Sequence, residues 1–382
     1  MQYETTIPFS RPYRTKESLA NIEAVLLSDH AHGDGPFTAA ATAKLKLITG
    51  APHMLLTTSC THALELAGLL LDLGVGDEVI IPSFTFPSAA DSVALRGATC
   101  VFVDIDTSTG NIDPDSVVAA ITSRTNAIYV MHYGGVAADM ETLLSLSEQY
   151  GLPIVEDNAH GLGGTWRGRK LGTLGVMGTL SFHDTKNIHC GEGGAILISD
   201  QALMSRAEMI REKGTDRARF LRGSVDKYTW QDLGSSYLPS EFNAAVLSSQ
   251  LDEFDIIQSR RRYVWDAYSR ALPEWATANR VQLMSVPADR EHTGHLFYML
   301  TATEQDRDDL ISHLHALGIS APFHYLPLDT SPAGYKFGRT PTPCVRSMDF
   351  SSRLIRLPLW ASMDDSHIDR VVRGVTGFRA SV

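Results

Sequence analysis

Short apolar runs alternate along the first half of the chain with stretches in which apolar residues recur every three or four positions. The runs at 54–57, 78–81, 99–103, 126–131 and 153–155 have strand length, and the last leads into Glu156-Asp157. Helical patterns follow at 62–73, 87–95, from Asp113-Pro114 onward, and at 138–150. Strands that are apolar throughout and separated by helices predict a parallel sheet covered on both faces. Runs at 179–182 and 195–199 read as further strands. Ahead of the alternation the pattern predicts a helix over 11–28 and a second from Thr38, acting as its cap, to about Ile48, stopped by Gly50. Between them lies His32-Gly33-Asp34-Gly35-Pro36-Phe37, either a loop that closes over a site or an ordinary connection.

After Ser199 the character changes. Helices are expected at 201–213 and over a long stretch, 240–272. Strands at 296–301 and 319–324 then mix with helices at 304–317 and 365–375. This predicts an α/β chain with a large domain over 1–255 and a smaller α+β domain over 256–382.

In open sheets of this kind ligands sit beyond the carboxyl ends of the strands, and three polar clusters fall there. The first is Ser181-Phe182-His183-Asp184-Thr185-Lys186-Asn187, closed by Gly191-Glu192-Gly193-Gly194. A lysine in a glycine-tight loop between two core strands loses charge readily on burial, and the neutral amine can form a Schiff base. A plain surface-loop lysine is the alternative. The second cluster, Ser59-Cys60-Thr61, sits between a strand and a helix start. Free N–H groups there make a phosphate seat, although the same residues would equally serve as an ordinary cap. In the third, Asp157 follows a buried strand and needs a partner, since an unpaired buried charge is costly. A protonated ring nitrogen would serve, as would an internal ion pair. His160 could orient the same group or lie in the core. Phe86 could stack on a planar ring or simply pack. Gly161-Leu162-Gly163-Gly164 does not open the first strand–helix unit and is discounted as a dinucleotide loop.

Composition narrows the function. The chain has 382 residues, 43% hydrophobic, and a net charge of −11, which argues against a nucleic-acid partner. No apolar run approaches the roughly 18 residues of a membrane span, and residues 1–12 lack a signal pattern, so a cytoplasmic protein is expected. Four scattered cysteines, Cys60, Cys100, Cys190 and Cys344, read as free thiols. His183, His189 and Cys190 have no zinc spacing, so no metal is expected. One segment runs against the overall charge: 211–227 carries six basic residues against three acids. It suggests an anionic ligand, a subunit contact or a solvated loop.

Taken together, Ser-Cys-Thr, the aromatic Phe86, Glu156-Asp157-x-Ala-His160, Ser181-Phe-His-x-x-Lys186-Asn and Gly-Glu-Gly-Gly resemble the DegT/DnrJ/EryC1/StrS sugar aminotransferases. The resemblance runs from Gly33-Asp34-Gly35 to Phe323-His324-Tyr325-Leu326-Pro327-Leu328. It implies the pyridoxal-phosphate fold of aspartate aminotransferase type (type I), with a central mostly parallel sheet and a cofactor-binding large domain. Thr58-Ser59-Cys60-Thr61, Arg211-Glu212-Lys213-Gly214-Thr215, Val225-Asp226-Lys227-Tyr228-Thr229-Trp230 and Gly234-Ser235-Ser236-Tyr237-Leu238 look most like enzymes that aminate dTDP-4-keto-6-deoxy-D-glucose at C4.

The same resemblance implies roles. Lys186 would carry pyridoxal 5'-phosphate covalently and move the substrate proton, with pyridoxamine 5'-phosphate as the other form. Asp157 would pair with the ring nitrogen, Phe86 would stack on the ring and His160 would lie beside it. Cys60, Thr61 and Ser181 would hold the phosphate. Ser236 of a partner chain in a homodimer with shared active sites would reach the same phosphate, where the family commonly has Asn. From charge rather than from the resemblance, the basic loop Arg217 to Lys227, with Arg219 and Lys227, is the candidate for the nucleotide diphosphate across the dimer, and Tyr228 and His324 are further candidate sugar-nucleotide contacts. Asp329 stands where relatives usually have His, which implies a changed sugar contact. The implied reaction takes the amino group from L-glutamate. Amination at C3 of a 3-keto sugar is the neighbouring alternative. A dehydratase of the same superfamily would carry His in place of Lys186, and a non-catalytic homologue would not need the intact set.

Overall fold

The apolar runs do become strands. In the computed structural model, which describes residues 6–380, β1 is His53–Thr57, β2 Glu78–Pro82, β3 Thr99–Val103, β4 Thr125–Met131 and β5 Ile154–Asp157. Two short strands, β6 (Thr165–Trp166) and β7 (Arg169–Lys170), precede β8 (Met177–Ser181) and β9 (Gly194–Ile198). The second half adds β10 (Gln282–Leu283), β11 (Arg290–Glu291), β12 (Phe297–Leu300), β13 (Gly338–Arg339) and β14 (Leu354–Leu357). The stretch 1–12, read as lacking a signal pattern, lies partly outside the described residues.

The main sheet has eight strands in the order β1-β9-β8-β5-β4-β2-β3-β13. It is mostly parallel; β9 alone runs antiparallel to both neighbours. The reason is local. The loop between β8 and β9 forms no helix and is closed by its own backbone hydrogen bonds, so the chain returns directly alongside β8. Along β3, Cys100 and Phe102 join the core on one face while Val101 and Val103 join the core on the other. Period-two alternation of apolar residues therefore covers the sheet on both sides.

The smaller sheet, β10-β12-β14, is antiparallel and packs in a core with Trp265, Tyr268, Trp360 and Phe350. The helix Phe254–Ala271 spans two cores: Ile257 packs with Leu45 and Leu247, and Val264 and Tyr268 pack with the strands of the smaller sheet and with Phe84 and Tyr133. The expected boundary at 255/256 falls in the first turn of this helix. β11 crosses back to pair with β6, register Arg290↔Trp166.

Several expected elements differ. The first helix spans only Ser18–Leu26. The second, Pro36–Thr49, starts before Thr38, with Gly35 as its cap residue. Its first N–H groups go instead to the buried carboxylate of Glu241, from Gly35 (3.1 Å), Phe37 (2.7 Å) and Thr38 (3.0 Å). An acid at a helix N-terminus is favourable, but this one arrives from a distant part of the chain, which local pattern cannot reveal. The long helix at 240–272 is two, Glu241–Asp252 and Phe254–Ala271, broken at Glu253 without Gly or Pro. No strand forms at 319–324, where Ile319 makes a single bridge to Ile7. Among the described residues, no helix is long and apolar enough to cross a membrane.

Candidate active site

The carboxyl ends of β1, β5 and β8 open onto one cavity of about 740 Å³. Ser59 follows β1 and caps the helix Cys60–Leu70, its hydroxyl accepting the His62 N–H at 3.1 Å. The N–H groups of Cys60 and Thr61 have no partner among the described residues and sit at the positive end of that helix. Ser59 therefore takes the capping role, and Cys60 and Thr61 remain for a ligand. The Thr61 hydroxyl meets that of Ser88 at 2.7 Å, and the Cys60 thiol lies 3.4 Å from the Thr179 hydroxyl. Burial pushes the Cys60 thiol well above its usual range, so it stays protonated. Backbone approach is close here. A Cβ on Gly194 would stand 2.3 Å from the Ser59 carbonyl carbon and 2.5 Å from the Cys60 nitrogen.

β5 delivers two adjacent carboxylates to opposite faces. Glu156 is saturated: it accepts the N–H groups of Gly172 (2.7 Å), Leu174 (2.6 Å) and Gly175 (2.7 Å) and meets His132 Nε2 at 2.8 Å. The Ala138 N–H donates to His132 Nδ1, which assigns the imidazole proton to Nε2 and makes it the donor to Glu156. Asp157, equally buried, accepts only the Ala159 N–H at 3.1 Å and has no ion pair among the described residues. Burial raises its pKa, opposed by that N–H and by the charge of Lys186.

Lys186 rides on a closed loop. The N–H groups of Phe182, Asp184 and Cys190 bond across it to Gly193, Gly191 and Phe182. Asn187 pins the loop from the far side, donating to Gln258 (2.8 Å) and the Thr293 carbonyl (2.9 Å) and accepting from His295 Nδ1 at 2.9 Å. Lys186 Nζ has neither hydrogen bond nor ion pair among the described residues. Burial lowers its pKa, against the pull of the Asp157 carboxylate.

The remaining wall is aromatic. His160 stacks on His295, centroids 4.1 Å apart. Its Nδ1 accepts the Gly134 N–H at 3.3 Å, so Nε2 carries the proton and faces the Tyr325 hydroxyl at 3.4 Å. Burial and then the Lys186 charge hold His160 and His295 well below the usual histidine range. His324 is also held down by burial, and its Nδ1 meets the Tyr133 hydroxyl at 3.0 Å. Phe86 is 53% exposed, with its ring on the cavity rather than in the core.

The structure thus brings Lys186, Asp157, Cys60, Thr61, Phe86, His160, Ser181 and His324 to one cavity. Other residues lie elsewhere in the chain. Ser236 and Tyr228 line a second cavity of about 530 Å³ with Lys213 and Arg217. Arg219 and Lys227 are exposed. Asp329 accepts the Ser83 hydroxyl and does not line the main cavity. Sequence reasoning passed over His295, Tyr325, Arg261 and Arg356, all on the main cavity. Arg356 left a signal: one charge inside an apolar run, Leu354-Ile355-Arg356-Leu357.

A buried carboxylate without a cation, an unpartnered amine and a free helix N-terminus match three parts of one molecule: a ring nitrogen, an aldehyde and a phosphate. On a large, mostly parallel α/β sheet they define a pyridoxal-phosphate enzyme of fold type I. The chain belongs to the DegT/DnrJ/EryC1/StrS aminotransferase family, whose model matches residues 12–376. The aminotransferase TlmJ from Streptoalloteichus hindustanus is 28% identical, with 97% of this chain and 98% of that chain covered and a TM-score of 0.90. DesV from S. venezuelae, solved with a ketimine intermediate, is 32% identical over the same shares, with a TM-score of 0.87. The PMP form of the putative sugar aminotransferase Spr1654 from Streptococcus pneumoniae is 25% identical over 97% and 98%, with a TM-score of 0.90. The protein is an aminotransferase that uses pyridoxal phosphate.

Proposed function

We propose that the enzyme moves an amino group from L-glutamate to C4 of dTDP-4-keto-6-deoxy-D-glucose, giving a dTDP-4-amino-4,6-dideoxyhexose. The observation that carries the aminotransfer is the pair formed by unpartnered Lys186 and cation-free Asp157 on one cavity. The sugar assignment rests on the substrate-loop stretches 211–215, 225–230 and 234–238. When bound, pyridoxal phosphate supplies an electron sink for the carbon being deprotonated.

Everything else falls to the chain. Asp157 would keep the ring nitrogen protonated, because its buried carboxylate, which accepts only the Ala159 N–H, would gain a cationic N–H. Cys60 and Thr61 N–H groups, with Ser181, hold the phosphate at the helix end. Phe86 covers one ring face. Lys186, with its proton affinity lowered by burial, would take the proton from the amino-acid α-carbon and hold it at Nζ for return. Neutral His160 offers an Nε2 proton without adding a charge that would compete with Lys186. Buried Leu296, Leu357 and Leu359 would keep that proton transfer away from water. The proposed assembly is a homodimer with shared sites, working in the cytoplasm, in which a partner subunit presents its own copy of Ser236 to the phosphate.

The test is a spectral titration with pyridoxal phosphate, then L-glutamate, then the keto sugar nucleotide. The visible band of the lysine-bound cofactor should form, bleach with glutamate and return with the sugar. Bleaching without return would reject this acceptor. NMR of the product separates C4 from C3 amination.

A further inference from the structure

Three of the four residues of β14 are fully buried and apolar; the fourth is Arg356. An arginine in such a strand is costly unless its charge finds a partner. Among the described residues it has no ion pair. Nη2 donates to the Phe323 carbonyl at 2.9 Å, and the Phe9 ring lies over the guanidinium at 4.4 Å from Cζ. Nε is buried without a hydrogen-bond partner, and Nη1 has none among the described residues. The side chain lines the cavity of Lys186, and its charge disfavours protonation of Lys186, His160, His295 and His324. Arg261 lines the same cavity, but its Nε and Nη2 already bond the carbonyls of Gly294 (3.1 Å) and His295 (2.6 Å).

We propose that Arg356 receives the α-carboxylate of the amino donor. This rests on the aminotransfer reading above and adds the group that selects an α-amino acid over a simple amine. Two anionic substrates visit the cavity, and chemistry separates them. In the amino acid, the carbon that loses its proton to Lys186 bears the carboxylate directly. An anion must therefore stand beside the lysine during that step. In a sugar nucleotide the diphosphate hangs from C1, across the ring from C4, and cannot reach the same depth while C4 is at the lysine. A guanidinium is suited to the task because it meets a carboxylate with parallel N–H bonds, whereas an ammonium meets it as a point charge.

The experiment uses the cofactor-loaded enzyme and its Arg356→Met and Arg356→Lys variants. Calorimetry with glutarate reads the anion site without any chemistry. Single-turnover absorbance reads the L-glutamate and sugar-nucleotide half-reactions separately. Arg356→Met should weaken glutarate binding and slow the glutamate half-reaction, each by about 10–100-fold, the worth of one charged hydrogen-bonded contact. The sugar half-reaction should be spared, and Arg356→Lys should recover part of the loss. Unchanged glutarate affinity, or equal loss in both half-reactions, would overturn the assignment. So would a wild-type protein that does not bind glutarate. A wild-type enzyme that binds glutarate but takes no amino group from glutamate would sink the donor reading and leave the Arg356 anion site standing. Should Arg356→Met fail to fold, the lysine variant decides on the same two readouts.

Discussion

Asp157 and Lys186 reach one cavity from neighbouring strands, and burial drives each toward its neutral form while the charge of each favours ionisation of the other. Desolvation is the larger effect in both, so the pair is biased toward its neutral forms despite the mutual attraction. In the proposed roles, Asp157 would meet a cationic ring nitrogen and Lys186 a carbonyl carbon, which would relieve both penalties at once.

The first consequence concerns Asp157→Asn. The folded-state pKa of Asp157 is raised above its unfolded value. The penalty is thus absent below the unfolded pKa, near 4, and fully present above the folded one. Without cofactor, the variant should melt higher than wild type at neutral pH, and the difference should vanish in acid. With cofactor the sign reverses, because an amide cannot hold the ring proton. Affinity for pyridoxal phosphate should fall about 10-fold or more, and turnover further. Calorimetric melting with and without cofactor, from about pH 3 to 8, checks both signs. A variant less stable than wild type without cofactor would count against the desolvated carboxylate.

Gly194→Ala probes the phosphate seat. The added Cβ would meet backbone atoms of Ser59 and Cys60, not the yielding tip of a side chain. Either β9 or the start of the helix Cys60–Leu70 must move, at a cost of about 1–3 kcal/mol. Since β9 is held on both edges, by Thr57 and by Ser181, the helix end should shift. Equilibrium dialysis should show weaker cofactor binding in a variant that still unfolds cooperatively in urea. Native affinity would mean that the sheet absorbs the strain.

How legible was this in the sequence? The strands were, because β2 to β5 are apolar on both faces and need no distant context. Lys186 and Asp157 were legible for a related reason: a polar residue at the end of a buried run must be there for a partner. What the sequence did not show is how Glu156 beside it is satisfied, since only the fold brings the N–H groups of Gly172, Leu174 and Gly175 to that carboxylate. Glu241 as the cap of Pro36–Thr49 was hidden the same way, by a contact between distant segments. The break at Glu253 has no Gly or Pro to announce it. Arg356 was visible as a charge out of place, but its meaning needed the cavity.

The last prediction concerns the basic segment 211–227. Three of its cations are already satisfied within the chain: Arg211 by Asp34, Arg217 by Glu212 and Arg222 by Glu208. These hold the segment in shape. Arg219 and Lys227 are exposed and make no ion pair among the described residues. The proposed role for these two is to meet the sugar-nucleotide diphosphate, across the proposed dimer rather than within one chain, since neither lines the main cavity. Charge-assisted contacts to phosphate strengthen as water is displaced, so the effect belongs to the bound state of that substrate alone. The double variant Arg219→Ala with Lys227→Ala should raise KM for the sugar nucleotide by about 10-fold or more. It should leave the glutamate half-reaction and the melting temperature near wild type, because neither side chain supports the fold. Added salt should narrow the difference from wild type, as screening removes an exposed electrostatic contact. If the two half-reactions weaken equally, the segment serves assembly or stability instead, and the diphosphate must be held by other residues.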